Sequence, residues 1–375
     1  MSFEKMPTLR MGSLEVDLPI VQGGMGVGIS LSGLASAVAN AGGIGVIATP
    51  GIGQFEHDWD TDPIKANSRA LRNEIRKAKA QTSGPIGVNI MVALSNFDEL
   101  VQCAVDEGAE VLFLGAGLPL KLPDTLPLQK LEQLATKLVP IVSSGRAAGL
   151  IFKSWARRYA YVPDAVVVEG PLAGGHLGFR REHIDDPDYA LEKILPEVVS
   201  VIEPYRKQSD KDIPVIAAGG IYTGADIHKI MQLGAQAVQM GTRFVTTDEC
   251  DADVELKNAF LNCKKEDIVI IDSPVGLPGR AITDEFLERV SSGVREIFTC
   301  PWKCLKSCDF KNVPYCIAKA LTNARTGNLR EGFAFAGANA YRADKIVPVK
   351  ELIETLVAEY AAVVRQRPMA TETSA

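Results

Sequence analysis

Ile213-Pro-Val-Ile-Ala-Ala-Gly-Gly-Ile221 and Ala237-Val-Gln-Met-Gly-Thr-Arg-Phe244 frame the repeat that decides how this chain is built. Each opens as an unbroken apolar run, short enough for a strand and uninterrupted enough to be buried on both faces. Each closes in glycine, and a helical pattern over 224–233 lies between them. Strand, helix and strand in about thirty residues make a parallel βαβ unit.

The same unit recurs toward the N-terminus. Strands are expected over 19–25, 43–49, 85–91, 111–117, 139–144 and 165–170, before those at 213–219 and 237–244. Helical patterns fall between them at 31–41, 64–81, 97–107, 128–137, 146–159 and 189–203. Eight strands in regular alternation with helices point to a closed (β/α)8 TIM barrel, an α/β fold, more than to an open doubly wound sheet. After Phe244 the alternation stops. A helix over 248–264, a strand over 268–272, a Gly/Pro turn over 273–280 and helices over 314–326 and 349–364 follow. The expected division is a barrel over 1–247, a mostly helical C-terminal cap over 248–365 and a disordered tail over 366–375.

The 375 residues carry 40 basic and 46 acidic side chains, a formal net charge of −6, which gives nucleic acid no basic face to bind. Met1 to Gly12 lack the apolar core and small-residue cleavage site of a secretory signal. The expected location is cytoplasmic, where the seven cysteines stay reduced. From Leu18 to Phe55 there is no charge, a stretch longer than the ~20 residues that span a bilayer. Its ten glycines, with Pro19 and Pro50, break it into strand, helix and strand, so a buried βαβ unit is expected and no membrane contact.

In a barrel the C-terminal strand ends converge on the active-site face. Here those ends read Gln22-Gly23-Gly24, Asn89, Gly115-Ala116-Gly117, Ser143-Ser144-Gly145, Glu169-Gly170 and Gly219-Gly220. The loops after the seventh and eighth strands, with Gly219, Gly220, Gly241 and Thr242, suit a phosphate held by backbone N–H groups and one hydroxyl. That pair fits FMN and a sugar phosphate alike, so a flavin-free barrel binding a sugar phosphate is the competing class. Of four histidines, His57, His183 and His228 sit in polar or helix-surface contexts. His176, after the pair Gly174-Gly175 in what should be a mobile but close-packed loop, is placed to act as acid or base.

Five motifs, in order, carry a resemblance: Gln22-Gly-Gly-Met-Gly26, Gly87-Val-Asn-Ile-Met91, Gly174-Gly-His176, Ala218-Gly-Gly220 and Gln239-Met-Gly-Thr242. Over residues 15–245 the chain resembles the nitronate monooxygenase family, FMN-dependent barrels related to the FMN-dependent enoyl-acyl-carrier-protein reductases and to NAD(P)H:quinone reductases. The resemblance implies that the backbone at Gly23, Gly24 and Met25 flanks the isoalloxazine, that Asn89 hydrogen-bonds it, and that Glu169 lies beside the ring or ribityl chain. It places Gly174 and Gly175 on the cofactor, and Gly219, Gly220, Gln239, Met240, Gly241 and Thr242 around the phosphate. It makes His176 the catalytic base, taking the α-proton of a nitroalkane whose nitronate is then oxidised with O2. The alternative it implies is an NAD(P)H-dependent reductase of an enoyl thioester or quinone. The chain departs from the monooxygenase pattern at Glu169, where Gln is common, at Leu172, where an acidic residue is common, and at Leu177, often Arg. No G-x-G-x-x-G unit followed by an acidic residue occurs, so NAD(P)H would have to bind transiently over the flavin.

Cys300, Cys304, Cys308 and Cys316 place four of the seven cysteines within seventeen positions. At a spacing of four, the first three would share one face of a helix. Gathered thiolates suit an iron–sulfur cluster, and the absence of a C-x2-C pair speaks against zinc. Buried inert cysteines are the other reading. A cluster would imply an electron carrier as partner beside the small-molecule substrate.

Overall fold

The computed structural model describes residues 5–300 and 302–366. The strands are β1 Leu9–Met11, β2 Leu14–Val16, β3 Ile20–Gln22, β4 Gly45–Ala48, β5 Ile86–Met91, β6 Val111–Gly115, β7 Lys137–Val142, β8 Val166–Glu169, β9 Gly175–His176, β10 Val215–Ala218, β11 Ala237–Met240, β12 Ile268–Asp272 and β13 Pro278–Ile282. The helices are α1 Ser32–Asn40, α2 Pro63–Gln81, α3 Phe97–Asp106, α4 Gly145–Tyr159, α5 Leu191–Ser209, α6 Gly224–Met231, α7 Thr242–Val245, α8 Val254–Asn262, α9 Glu285–Ser291, α10 Ile317–Arg325 and α11 Val349–Gln366. Eight strands run β3-β11-β10-β8-β7-β6-β5-β4, all parallel. The ring closes where Val21 bridges Ile44 and where Ile44 N–H donates to Ile20 and Gln22 N–H to Ile44, both at 2.9 Å. The (β/α)8 barrel of the sequence reading is therefore the observed fold.

Alternation along each strand separates two apolar layers. Val21, Ile44, Val46, Phe113, Val139, Val167 and Ile216 fill the barrel interior. Their neighbours Ile20, Ile47, Leu112, Leu138, Val168 and Val215 pack outward against the helices. The β1–β2 hairpin adds Leu9, Met11 and Val16 to the interior layer and stops the barrel at its N-terminal end, where Gly12 faces Lys137 at the start of β7.

The helix expected over 128–137 does not form. Only a 3-10 turn at Leu131–Gln133 is present, and Lys137 already belongs to β7. Pro119, Pro123 and Pro127 hold the preceding chain away from helical geometry. The loop instead packs on α4, where Trp155 Nε1 donates to the Pro119 carbonyl at 2.6 Å and Leu122 N–H to the Tyr159 hydroxyl at 3.1 Å. Its own Leu122, Leu126 and Leu131 are buried and cover the barrel wall in place of a helix.

Beyond Val245 the helix expected over 248–264 shortens to α8, started by the Asp253 carboxylate accepting from Glu255 N–H at 2.9 Å. The turn expected over 273–280 is real only to Leu277, because Pro278 to Arg280 belong to β13. α11 packs against α6 and α1, and its Val349, Leu352, Ile353, Leu356 and Tyr360 join the outer core layer. His228 on α6 is not a solvated surface histidine: it is buried beside Tyr360, ring centroids 5.5 Å apart. The tail expected to be disordered lies outside the described residues from 367 onward, and Gln366 ends α11. Among the described residues no helix is long and apolar enough to cross a membrane.

Candidate active site

Strand parity decides what reaches the C-terminal mouth of the barrel. Val167 points inward on β8, so Glu169 two residues on does too; Ala237 puts Gln239 inward in the same way, and Asn89 alternates with outward Val88 and Ile90. A cavity of about 1110 Å3 opens there. His176, Gly23, Gly24, Met25, Asn89, Glu169, Gly174, Gly175, Gly219, Gly220, Gln239, Met240, Gly241 and Thr242 all line it, so the structure gathers every one of these site residues at one place.

At one end the backbone turns through Gly219 and Gly220, with φ of +91° and +83°. A Cβ on Gly219 would stand 2.8 Å from the Gly170 carbonyl oxygen, so the β10 loop lies directly on the β8 loop. Three contacts from beyond the barrel hold this end, and none had a local signal in the sequence. Gly337 N–H donates to Thr242 Oγ1 at 2.9 Å, Asn339 Nδ2 to the Gly220 carbonyl at 2.7 Å, and Ala338 N–H to the Leu172 carbonyl at 3.1 Å. The Arg243 guanidinium lies over the Tyr222 ring at 4.7 Å, and its Nε is buried without a partner among the described residues. The residues fit FMN. The paired glycines bring bare backbone to the cavity wall, pressed on the β8 loop where a Cβ would collide, and Asn89, Glu169 and Gln239 face the cavity with no side-chain hydrogen-bond partner among the described residues. That leaves polar groups for a heteroaromatic ring and backbone N–H groups for a phosphate.

His176 is not in a mobile loop. With Gly175 it forms β9, an antiparallel partner of β13 in the registers Gly279↔His176 and Arg280↔Gly175. Its Nε2 is 2.6 Å from Ser273 Oγ, and its ring meets the edge of Phe335 with centroids 4.9 Å apart. Burial, with no compensating carboxylate, lowers its pKa to about 4. Leu177, the departure next to it, is fully buried in the outer core layer and does not face the cavity.

Arg280 is what the sequence reading missed. The guanidinium is buried and Nη1 donates to the carbonyls of Pro171 and Ala173, the latter at 2.9 Å, so one side chain ties down the loop that leads into His176. Burial lowers its pKa, opposed by the charge of Asp185, and the carbonyls supply the direct hydrogen bonds. Both bonds come from Nη1 at the far end of the guanidinium, so a lysine, whose ammonium ends nearer the backbone, reaches the two carbonyls only if the loop moves toward it. Arg280→Lys is expected to keep its flavin and lose on the order of 10²-fold in kcat, because a displacement near 1 Å suffices for that. Flavin-to-protein ratio and kcat, measured together, check it.

Glu169 is the second perturbed group: burial raises its pKa to about 7. The sign of its linkage follows. Between its unperturbed value of 4.5 and about 7 the folded flavin-free protein keeps a proton that the unfolded chain has released. Stability is therefore lost as pH rises through that window. His176 acts oppositely, its contribution being present above 6.5 and lost as pH falls toward about 4. Glu169→Gln removes only the first effect, so the Tm advantage of the flavin-free variant should grow by a few degrees from pH 5 to pH 8. An advantage that does not change with pH would mean Glu169 is ionised throughout.

The four cysteines do not share a helix face. Residues 294–300 and 302–316 contain no helix, and α10 begins only after Cys316. The Pro314-containing approach and a left-handed Lys303, φ +44°, keep this stretch irregular.

A family model described as nitronate monooxygenase matches residues 8–359. The chain is 29% identical to the probable nitronate monooxygenase of Staphylococcus haemolyticus, covering 74% of this chain and 78% of that one. It is 28% identical to (3aS,4S,5R,7aS)-5-hydroxy-7a-methyl-1-oxo-octahydro-1H-indene-4-carboxyl-CoA dehydrogenase of Mycobacterium tuberculosis, over 75% of this chain and 67% of that one. FabK from Thermotoga maritima superposes with a TM-score of 0.71 at 29% identity, over 93% of this chain and 94% of its own. Nitroalkane oxidase from Streptomyces ansochromogenes gives 0.70 at 23% identity, over 93% and 97%, a likeness of fold alone. With the match running from the first hairpin into α11, the chain belongs to the nitronate monooxygenase family and is an oxidoreductase of the FMN-dependent type.

Proposed function

We propose that this enzyme oxidises alkyl nitronates and neutral nitroalkanes with O2, with His176 as the base. One observation carries the reading: an imidazole held neutral by burial, its pKa lowered to about 4, stands in the cavity with one nitrogen engaged by Ser273. The Ser273 contact holds the ring, and in the tautomer whose Nε2–H donates to the Ser273 hydroxyl the other nitrogen is left to take the α-proton. Protonating a buried imidazole is costly alone, but the nitronate formed in the same step is an anion beside it, and the pair offsets that cost. FMN, when bound, takes up the substrate's electrons and passes them to O2. Gly219, Gly220, Gln239, Met240, Gly241 and Thr242 would hold its phosphate, while Gly23, Gly24, Met25, Asn89, Glu169, Gly174 and Gly175 would surround the ring and ribityl chain. Arg280 and the β9–β13 pairing keep the base in register with the substrate.

A second reading, an NAD(P)H-dependent reductase of an enoyl thioester, is favoured by the 29% identity to FabK and by the likeness to a carboxyl-CoA dehydrogenase. It asks His176 to supply a proton rather than take one, which a neutral imidazole does poorly. Anaerobic mixing separates the two: a nitronate should bleach the flavin and NADH or NADPH should not. Bleaching by nicotinamide alone would overturn the first reading. The pH profile is a further check. For a neutral nitroalkane, kcat/KM should show no fall near 6.5 and decline only as pH approaches about 4.

A further inference from the structure

The chemistry left unused by the cavity is the set of four cysteines, none of them in a disulfide. The chain that bears them is pinned on both sides of Cys304. Ser95 N–H donates to the Cys304 carbonyl at 3.1 Å, Leu305 bridges Leu94, and Lys306 N–H donates to the Ala93 carbonyl at 3.0 Å. Upstream, Trp302 packs on Trp59 with ring centroids 5.7 Å apart, and its Nε1 donates to Asp60 at 3.0 Å. The left-handed backbone at Lys303 turns the chain between Cys300 and Cys304. So anchored, the stretch folds back until each of the four thiols lies within electrostatic reach of the other three.

Gathering four of seven cysteines within seventeen residues of chain is more than packing requires. The sequence spacing bears on the occupant: no C-x2-C pair of the kind common at structural zinc sites occurs among the four. An iron–sulfur cluster distributes its thiolates over separate irons. We propose that Cys300, Cys304, Cys308 and Cys316 are the four ligands of an iron–sulfur cluster. The site borders the cavity: Leu305 and Ser307, between the second and third ligands, line the cavity that would hold the flavin. This inference does not depend on which substrate the enzyme oxidises.

The test is iron and acid-labile sulfide analysis of the full chain, purified without oxygen and then treated with ferrous iron and sulfide. Iron and sulfide should appear together at about two to four of each per chain. Both should fall to background in a Cys304→Ser, Cys308→Ser double variant that keeps its flavin content. Neither element in the treated wild-type protein, zinc in their place, or iron that is unchanged in the variant would each overturn the proposal. Should the double variant fail to fold, the wild-type iron and sulfide content and the single Cys308→Ser change decide the matter.

Discussion

His176→Asn should yield a protein that retains FMN but turns over neutral nitroalkanes about 10²–10⁴-fold more slowly, the range that a positioned general base supplies. Asparagine fits the space between Ser273 and Phe335 and keeps a polar amide at the level of the imidazole Nδ1, although not the Ser273 contact that Nε2 makes at 2.6 Å. What it cannot do is accept a proton. A nitronate prepared in advance has already lost its α-proton, so its kcat/KM should change by less than about 10-fold. The split between the two substrates is the informative quantity, because misplacing the flavin or closing the cavity would slow both equally. Equal losses would leave His176 a positioning role, with the proton taken elsewhere. Glu169, raised to about 7 and facing the same cavity, would then be the next group to change.

The sequence spoke plainly wherever one local pattern decides the structure. Val166-Val-Val-Glu169 is apolar on both faces, so it is a strand of a covered parallel sheet, and parity alone then aims Glu169 into the barrel. Gly219-Gly220 marks a backbone that must take positive φ, and it does. What stayed hidden depends on pairings across long stretches of chain. β9 is two residues long and is a strand only because β13, a hundred residues later, lies beside it. Arg280 reads as one more charged residue after a Gly/Pro turn until its partners, more than a hundred positions earlier, are known. The helix misplaced over 128–137 shows the opposite error. Leu131 is buried and Leu128 and Leu134 are half-buried against the core, but three prolines upstream and the hydroxyl of Tyr159 give the chain a non-helical path. The cysteines repeat that lesson: a spacing of four suggested a helix, whereas the described chain that bears them is irregular until α10 begins after Cys316.

Gly219→Ala is expected to give protein that folds but is purified without FMN, its Kd for the flavin raised on the order of 10²-fold, or about 3 kcal/mol. Two effects add. A residue with a side chain at φ +91° is strained, at a cost of about 1–3 kcal/mol. The new Cβ would also stand 2.8 Å from the Gly170 carbonyl oxygen and 3.1 Å from the Ala173 nitrogen, both backbone atoms that no rotamer change can move. Relief requires shifting the loop from Gly170 to Ala173, which Arg280 clamps and which leads into Gly174 and His176. Gly220→Ala is the control. Its φ of +83° carries the same kind of strain, but its Cβ would meet the Leu172 side chain, whose Cδ1 at 2.9 Å can swing aside because the residue is 45% exposed, leaving a tight contact to Leu172 Cβ at 3.0 Å rather than a clash with a backbone oxygen. That variant should bind FMN with at most about a 10-fold loss. Flavin titration by fluorescence, with far-ultraviolet circular dichroism to show that both variants fold, distinguishes the causes. If the two lose FMN equally, the left-handed backbone alone governs binding; if only Gly219→Ala does, the close packing of the β10 loop on the β8 loop is what shapes the phosphate end.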